Sequence, residues 1–259
     1  MNTKLSFKRT VCGIAGVGAL LLAANNSFAQ TVINAYDVAA NYTATGFTGN
    51  QGYGFGAWTV NTPGGGDYIS GDNPPYFGLW NSTPNSASTA VRPFSSSLTV
   101  GQTFSAQLMM TDLSGATSMN AMELLDGSGN VLFSYWQQGG GYANGWYTDA
   151  GVTGGTATGF AYDFQSMDSF AFTLTSPTAY TFSDLSTGAS INGTVDGTIS
   201  QVEFLRANES SASLPDGQDF KFNSLEITSV PEPTSAAIAG LAGCILWAIR
   251  RRGSPGSKV

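Results

Sequence analysis

The residues that could do chemistry in this chain are carboxylates and aromatic rings. The sequence contains no histidine, which excludes Ser-His-Asp catalysis, imidazole proton transfer and His-based zinc sites within the chain. Its two cysteines, Cys12 and Cys244, lie near the ends, so residues 30–229 offer no disulfide and no thiol nucleophile. Acid–base chemistry in this stretch therefore depends on Asp and Glu.

Glycoside hydrolysis by two carboxylates is a reaction that such residues could support. Retaining glycosidases hold two carboxyl groups about 5 to 5.5 Å apart, which on one strand face requires acidic residues at even spacing. The acids nearest to each other are Glu123 with Asp126, at the start of a predicted hairpin turn, and Asp163 with Asp168, beside a predicted loop. Glu203 stands alone on its predicted strand. The sequence therefore predicts no catalytic residues and no enzymatic activity.

Aromatic side chains in polar loops could bind sugars without hydrolysing them. Sugar rings stack through their C–H groups on exposed aromatic faces, while Asn, Asp and Gln bond their hydroxyls. Four tryptophans lie in or beside glycine-rich loops: Trp58, Trp80, Trp136 and Trp146. We predict that at least one of them forms an exposed carbohydrate-binding surface. The alternative for any single one is a place in the hydrophobic core.

The sequence also contains acidic segments that could be compared with metal sites built from oxygen ligands. The segment from Asp126 to Asn130 (DGSGN) resembles a calcium loop, but it lacks the later bidentate Glu and lies between two hydrophobic runs, as a hairpin turn does. Asp67 with Asp72 could act as ligands only if folding brought backbone carbonyls alongside. We therefore predict no metal site and no cofactor.

The elements that must position these residues are β-strands. Short runs rich in aromatic and β-branched residues are separated by clusters of Gly, Asn, Asp and Ser. In one run Phe170, Phe172 and Leu174 alternate with smaller or polar residues, as a half-buried strand requires. The runs cover residues 103–112, 120–125, 131–136, 159–164, 170–175, 179–185, 199–206 and 220–227. Residues 30–229 are therefore predicted to form one all-β domain, a two-sheet antiparallel sandwich, in which residues 30–90 supply outer strands and long loops.

The charge of this domain restricts its partners. Residues 30–229 contain three bases, Arg92, Arg206 and Lys221, against sixteen acids, a net charge of −13. So few cations cannot neutralise a phosphate backbone or attract anionic lipid, which excludes nucleic acid as a partner. An acidic surface suits solubility outside a cell.

The first 29 residues have the pattern of a secretory signal peptide. Positive residues precede an apolar stretch over residues 11–24, and a small-x-small site ends at Ala29. Signal peptidase is expected to cut between Ala29 and Gln30 after export by the Sec machinery. The alternative is an uncleaved anchor.

The last thirty residues have the pattern of a membrane anchor. Residues 236–249 are fourteen uncharged residues, which as a helix would span about 21 Å of a hydrocarbon core of about 30 Å. Arg250, Arg251 and Arg252 follow as a stop-transfer cluster that stays cytoplasmic together with residues 253–259. Pro231 and Pro233 separate this segment from the body, because proline continues neither a helix nor a central strand. The alternative is a buried C-terminal helix.

This order of motif, apolar helix and arginine cluster over residues 230–252 resembles the PEP-CTERM sorting signal of exported proteins in Gram-negative bacteria that make extracellular polysaccharide. The resemblance implies that exosortase, a membrane-embedded cysteine protease, recognises Pro231, Glu232 and Pro233 and removes the helix. The chain would then be transiently anchored in the inner membrane before it reaches the cell surface or extracellular matrix.

The body resembles the concanavalin A-like jelly roll, which includes laminin G domains. The likeness rests on Arg92 to Phe94 leading into residues 98–104, the hairpin over residues 124–133, and the last strand over residues 219–227. Glucanases of that fold carry Glu-x-Asp-x-x-Glu or Glu-x-Asp-x-Glu on one strand, and this chain has neither.

Together these patterns predict an exported surface or matrix protein. Its sandwich is expected to be a non-catalytic module that binds extracellular polysaccharide or packs structurally. The alternative is a carbohydrate-active enzyme, a glycosidase or lyase, with an unrecognised carboxylate pair.

Overall fold

The body of the chain is built almost entirely from β-strands. The computed structural model describes residues 30–43, 46–110, 118–138, 147–149, 155–160, 166–208 and 219–230. In those ranges it has one short 3₁₀ turn, Ala39–Asn41, and fifteen strands. The strands are β1 (Val32–Asp37), β2 (Thr59–Asn61), β3 (Gly65–Ile69), β4 (Phe77–Asn81), β5 (Ser86–Pro93), β6 (Gln102–Met110), β7 (Ser118–Leu125), β8 (Val131–Gln138), β9 (Tyr147–Asp149), β10 (Thr156–Ala157), β11 (Asp168–Ser176), β12 (Ala179–Asp184), β13 (Ser190–Thr194), β14 (Gln201–Asn208) and β15 (Phe220–Ser229).

These strands form two sheets that pack as a sandwich. The eight-stranded sheet has the order β13-β12-β11-β6-β15-β4-β3, with β1 also paired to β15. The seven-stranded sheet has the order β10-β9-β8-β7-β14-β5-β2. Residues 33–229 form one compact unit. The predicted all-β, two-sheet antiparallel sandwich is therefore confirmed.

The predicted terminal segments lie outside the described residues. These are the signal segment up to Ala29, the motif Pro231 to Pro233, the apolar residues 236–249 and the arginines 250–252. Within the part of the chain that the structure describes, no helix has the length and apolarity needed to cross a membrane.

Aromatic side chains fill the space between the sheets. Phe204 from β14 stacks on Phe222 from β15 with ring centroids 3.8 Å apart and an interplanar angle of 4°. Elsewhere Phe133 from β8 contacts Phe172 and Phe182, both at centroid distances of 5.0 Å. All five rings are fully buried. Such contacts add to the free energy gained by removing apolar surface from water.

A buried ion pair ties β1 to β5. The guanidinium of Arg92 lies 3.1 Å from the carboxylate of Asp37, and neither side chain is exposed. Arg92 also donates to the backbone carbonyl of Gln51 at 2.6 Å, and the hydroxyl of Tyr42 donates to Asp37 at 2.8 Å. Because both charges have polar partners, the pair can be buried without leaving an uncompensated charge.

Seven of the eight predicted runs coincide with strands. The described part of the remaining run, residues 159–160, is not a strand. Although an Asn-Gly pair favours a turn, Ile191 to Gly193 belong to β13 and pair with β12. Gly193 lies under the ring of Tyr180, where an added Cβ would clash with the ring. The glycine allows close strand packing here.

Candidate active site

The outer face of the seven-stranded sheet carries two glutamates side by side. Glu123 on β7 lies directly opposite Glu203 on β14 in the antiparallel register. The Cβ atoms of directly opposed residues are about 4.5 to 5.5 Å apart. Both side chains are partly buried. The two carboxyl groups therefore share one half-desolvated patch of the sheet.

The local sequence explains why both side chains point outward. Each glutamate lies between two core residues: Met122 and Leu124 on β7, and Val202 and Phe204 on β14. Successive side chains of a strand point to opposite faces, so the residue between two core positions must face out. Register places the glutamates in one row that crosses the sheet through Thr59, Val91, Glu203, Glu123 and Ser134.

Burial raises the pKa values of both glutamates, and the charge of Glu203 raises that of Glu123 further. The pKa of Glu123 rises to about 7: burial is the largest cause and the charge of Glu203 adds to it. A hydrogen bond from the Ser134 hydroxyl to Glu123 Oε1, 3.1 Å long, acts in the opposite direction by stabilising the carboxylate. Burial also raises the pKa of Glu203. Near neutral pH the two glutamates titrate as a coupled pair, because the charge of Glu203 raises the pKa of Glu123.

This arrangement suits acid–base and nucleophilic chemistry on a glycoside. A protonated carboxyl group can act as a general acid while a neighbouring carboxylate acts as a nucleophile. The cross-strand pairing places the two Cβ atoms about 4.5 to 5.5 Å apart, from which the carboxyl groups can reach the separation of about 5 to 5.5 Å that retaining glycosidases use.

Trp136 lies next to the glutamates on the same face. It follows Ser134 by two residues on β8, and its cross-strand partner on β7 is Ala121. The tryptophan is partly exposed, whereas the small alanine is fully buried beside it. Trp136, one of the predicted sugar-binding residues, therefore lies in the cross-strand row next to that of the Glu123–Glu203 pair.

The structure separates the other predicted tryptophans from this site. Trp80 is 39 % exposed but lies on β4, in the opposite sheet. Trp58 is 6 % exposed, its indole Nε1 donates to the Tyr42 hydroxyl at 3.0 Å, and the Arg92 guanidinium lies 5.1 Å from its ring. Trp58 is therefore a core residue with no open face for a sugar. Trp146 lies outside the described residues.

The carboxylate pairs considered from the sequence do not form the site. The Asp126 carboxylate accepts hydrogen bonds from the backbone N–H groups of Ser128 and Asn130, at 2.8 and 2.9 Å, and so stabilises its own hairpin turn. Asp163 lies outside the described residues. The observed pair joins Glu123 to a residue 80 positions away. A lone acid between two large apolar residues indicates the polar face of a strand, but it does not indicate which strand lies beside it.

The described residues contain no group of three or more Cys, Asp and Glu side chains that could hold a metal ion. A carboxylate mechanism for glycoside cleavage needs none.

Several solved structures share this fold at low sequence identity. β-Agarase A, solved with oligoagarose, matches with a TM-score of 0.51 and 9 % identity, over 77 % of this chain and 93 % of the agarase chain. A structure described with endo-acting O-glycanases that initiate mucin breakdown in the human gut microbiota matches with a TM-score of 0.52 and 7 % identity, over 77 % of this chain and 100 % of the other.

The GlcNAcα1-4Gal-releasing endo-β-galactosidase of Clostridium perfringens matches with a TM-score of 0.51 and 9 % identity, over 79 % of this chain and 64 % of that one. No protein-family model matches the chain. A search of curated proteins also finds no match. At these identities the likeness shows the fold, a jelly-roll sandwich similar to the concanavalin A-like structures of glycoside hydrolases.

The prediction that this chain is not an enzyme is contradicted by these comparisons, because the three structures reported above are described as glycan-degrading enzymes and share its fold. The prediction considered only carboxylates that lie on one strand. A pair formed across two strands has no spacing signature in the sequence.

Proposed function

We propose that the body is a carbohydrate-active enzyme that cleaves glycosidic bonds in a polysaccharide. Glu123 is the general acid and Glu203 is the nucleophile. The observation that carries this proposal is the cross-strand Glu123–Glu203 pair, in which the pKa of Glu123 is raised to about 7. The fold shared with glycan-degrading enzymes supports the same assignment.

The two glutamates divide the reaction between them. Protonated Glu123 donates its proton to the glycosidic oxygen as the bond to the anomeric carbon breaks, while ionised Glu203 attacks that carbon and forms a glycosyl ester. Glu123, now ionised, takes a proton from water, which attacks the same anomeric carbon, breaks its bond to the Glu203 oxygen and releases Glu203 as a carboxylate. Two inversions at one carbon give a product with retained configuration.

Trp136 and Ser134 assist this chemistry from β8. The exposed part of the indole provides a surface on which a sugar ring can stack beside the carboxyl pair. The Ser134 hydroxyl holds one oxygen of Glu123 at 3.1 Å and so restricts the orientation of the acid. Positioning of this kind keeps the proton aligned with the leaving oxygen.

We also propose that this enzyme acts outside the cell. The signal-like residues 1–29 and the Pro231–Pro233 motif, with its apolar segment and Arg250–Arg252, support export and a tail that is later removed by an exosortase-type protease. The net charge of −13 on residues 30–229 is consistent with a soluble extracellular body.

The experiment is a hydrolysis assay on a panel of polysaccharides. The wild-type body is incubated with agarose, galactans, mucin glycans and the extracellular polysaccharide of its host, and released reducing ends are measured. On any substrate that is cleaved, Glu123→Gln and Glu203→Gln should each lower kcat/KM by about 10² to 10⁴.

Glu226→Gln is the matched control, because Glu226 is a partly exposed strand residue of the opposite sheet. It should leave the rate unchanged. Cleavage of no polysaccharide, or wild-type rates in both pair variants, would overturn the proposed function.

A further inference from the structure

We infer that the opposite face of the sandwich carries a second ligand site, for an acidic sugar. A cavity of about 450 Å³ lies on the outer face of the eight-stranded sheet, between strands β6 and β15 and the loop that precedes β4. The outer faces of a two-sheet sandwich point away from each other, so this cavity is separate from the Glu123–Glu203 pair. Its volume lies in the range of small-molecule sites.

The loop that walls this cavity is held in place by hydrogen bonds. The Ser70 hydroxyl accepts from the backbone N–H groups of Asp72 and Tyr76, at 3.4 and 3.0 Å, and the Ser70 N–H donates to the Tyr76 carbonyl at 2.9 Å. Asn223 on β15 donates its side-chain N–H to the Pro75 carbonyl at 2.9 Å. These hydrogen bonds fix the loop before a ligand binds, so binding costs little conformational entropy for ordering it.

Lys221, which lines the cavity, is the one base of residues 30–229 that is not fully buried in the described part of the structure. Residues 30–229 have three bases, and Arg92 and Arg206 are fully buried. Lys221 is partly exposed and lines the cavity. Its ammonium lies 4.8 Å from the centroid of the Tyr76 ring, and no carboxylate of the described residues lies within 4.0 Å of it. In a domain with a net charge of −13 this cation is positioned to bind one anionic group.

The remaining lining fits a hydroxylated ring. The Gln107 amide and the Asp72 carboxylate can bond hydroxyl groups, while Tyr76 and Met109 offer apolar surface to C–H groups. A lipid tail would leave these polar groups without partners, and a neutral sugar would leave the ammonium without a counter-charge. A sugar that carries a carboxylate, such as a uronate or a sialate, satisfies all of them.

The acidic surface around the cavity should confine binding of an anion to the immediate surroundings of Lys221. Repulsion by carboxylates more than about 8 Å away is screened at physiological ionic strength, so the nearby charges, Lys221 and the Asp72 carboxylate in the same cavity, determine affinity. Binding should weaken as salt is added.

Calorimetric titration of the full chain tests this site. The probes are trigalacturonate and sialyllactose, each compared with its neutral counterpart, the trigalacturonate methyl ester and lactose. At least one acidic probe should bind at least tenfold more tightly than its counterpart. Lys221→Gln should weaken that binding roughly tenfold to a hundredfold, while Lys221→Arg retains most of it.

Two further readouts keep the result unambiguous. Lys221→Gln should retain the wild-type thermal midpoint, and if it does not, Gln107→Ala provides a second, uncharged variant that should also weaken binding. Glu123→Gln should bind the acidic probe normally, so acid-sugar binding and hydrolysis can fail independently. Equal binding of acidic and neutral probes, or undiminished binding by Lys221→Gln, would overturn the inference.

Discussion

Replacing Glu123 by Gln should stabilise the body at neutral and alkaline pH while it lowers kcat/KM for hydrolysis by about 10² to 10⁴. The pKa of Glu123 is about 7 in the folded protein against an ordinary value of 4.5. The folded state therefore holds this proton more tightly than the unfolded chain does. Between these two values the folded state is protonated at Glu123 and the unfolded state is not, so stability falls as pH rises through this window.

The size of the effect follows from the same two pKa values. Ionising Glu123 in its half-buried place beside Glu203 costs up to about 3 kcal/mol of folding free energy once the pH is above 7. Glutamine removes that cost and keeps an oxygen that can accept the Ser134 hydrogen bond. For a domain of this size, about 3 kcal/mol corresponds to a rise in thermal midpoint of roughly 6 to 12 °C.

Thermal and urea unfolding at pH 4 and pH 8 measure this directly. Wild type and Glu123→Gln should have similar stability at pH 4, where the glutamate is protonated in both states, and should diverge at pH 8. Glu226→Gln controls for a general effect of removing an acid. A Glu123→Gln protein that is less stable than wild type at pH 8 would refute the argument that burial and the charge of Glu203 make ionisation of Glu123 unfavourable.

Three other features give separate predictions. Asp37→Ala leaves Arg92 buried without its counter-ion, so urea unfolding should show a loss of about 3 to 5 kcal/mol, and a loss below about 1 kcal/mol would contradict the role of the pair. Trp58→Ala should cost about 3 to 5 kcal/mol of stability because it leaves a cavity in the core. Trp136→Ala should raise KM for polysaccharide with little change in the free energy of unfolding. Unfolding by Trp136→Ala, or a raised KM without loss of stability in Trp58→Ala, would contradict these roles. In a host with exosortase, mass spectrometry should find a mature chain from Gln30 to near Pro231, and Glu232→Ala should leave the tail in the membrane; an extracellular form that retains Arg250 to Arg252 would contradict this processing.

Alternation along single strands made much of the fold predictable. The spacing of Phe170, Phe172 and Leu174 indicates β11 and its buried face. The alternation of Val202 and Phe204 with Gln201 and Glu203 likewise indicates β14 and places Glu203 on the outer face. These features depend on residues two positions apart, which a sequence displays directly.

The proposed catalytic pair was not predictable in the same way, because it depends on which strands are neighbours. β7 and β14 are joined in the sheet although other strands lie between them in the chain, and only that pairing brings Glu123 beside Glu203. Trp58 illustrates a second limit. Its glycine-rich surroundings suggest an exposed loop, but hydrogen bonding to Tyr42 and contact with the buried Arg92 hold it in the core.

The most direct test of the central claim is to identify the residue that attacks the sugar. The body is treated with a 2-fluoro glycoside of the sugar it cleaves, in which a good leaving group lets the covalent intermediate form and the fluorine slows its hydrolysis, and the labelled peptide is sequenced by mass spectrometry. A sugar ester on Glu203, which should also form in Glu123→Gln because a good leaving group needs no general acid, is the predicted result. An ester on any other residue, or hydrolysis that proceeds with inversion and without an ester, would contradict the account.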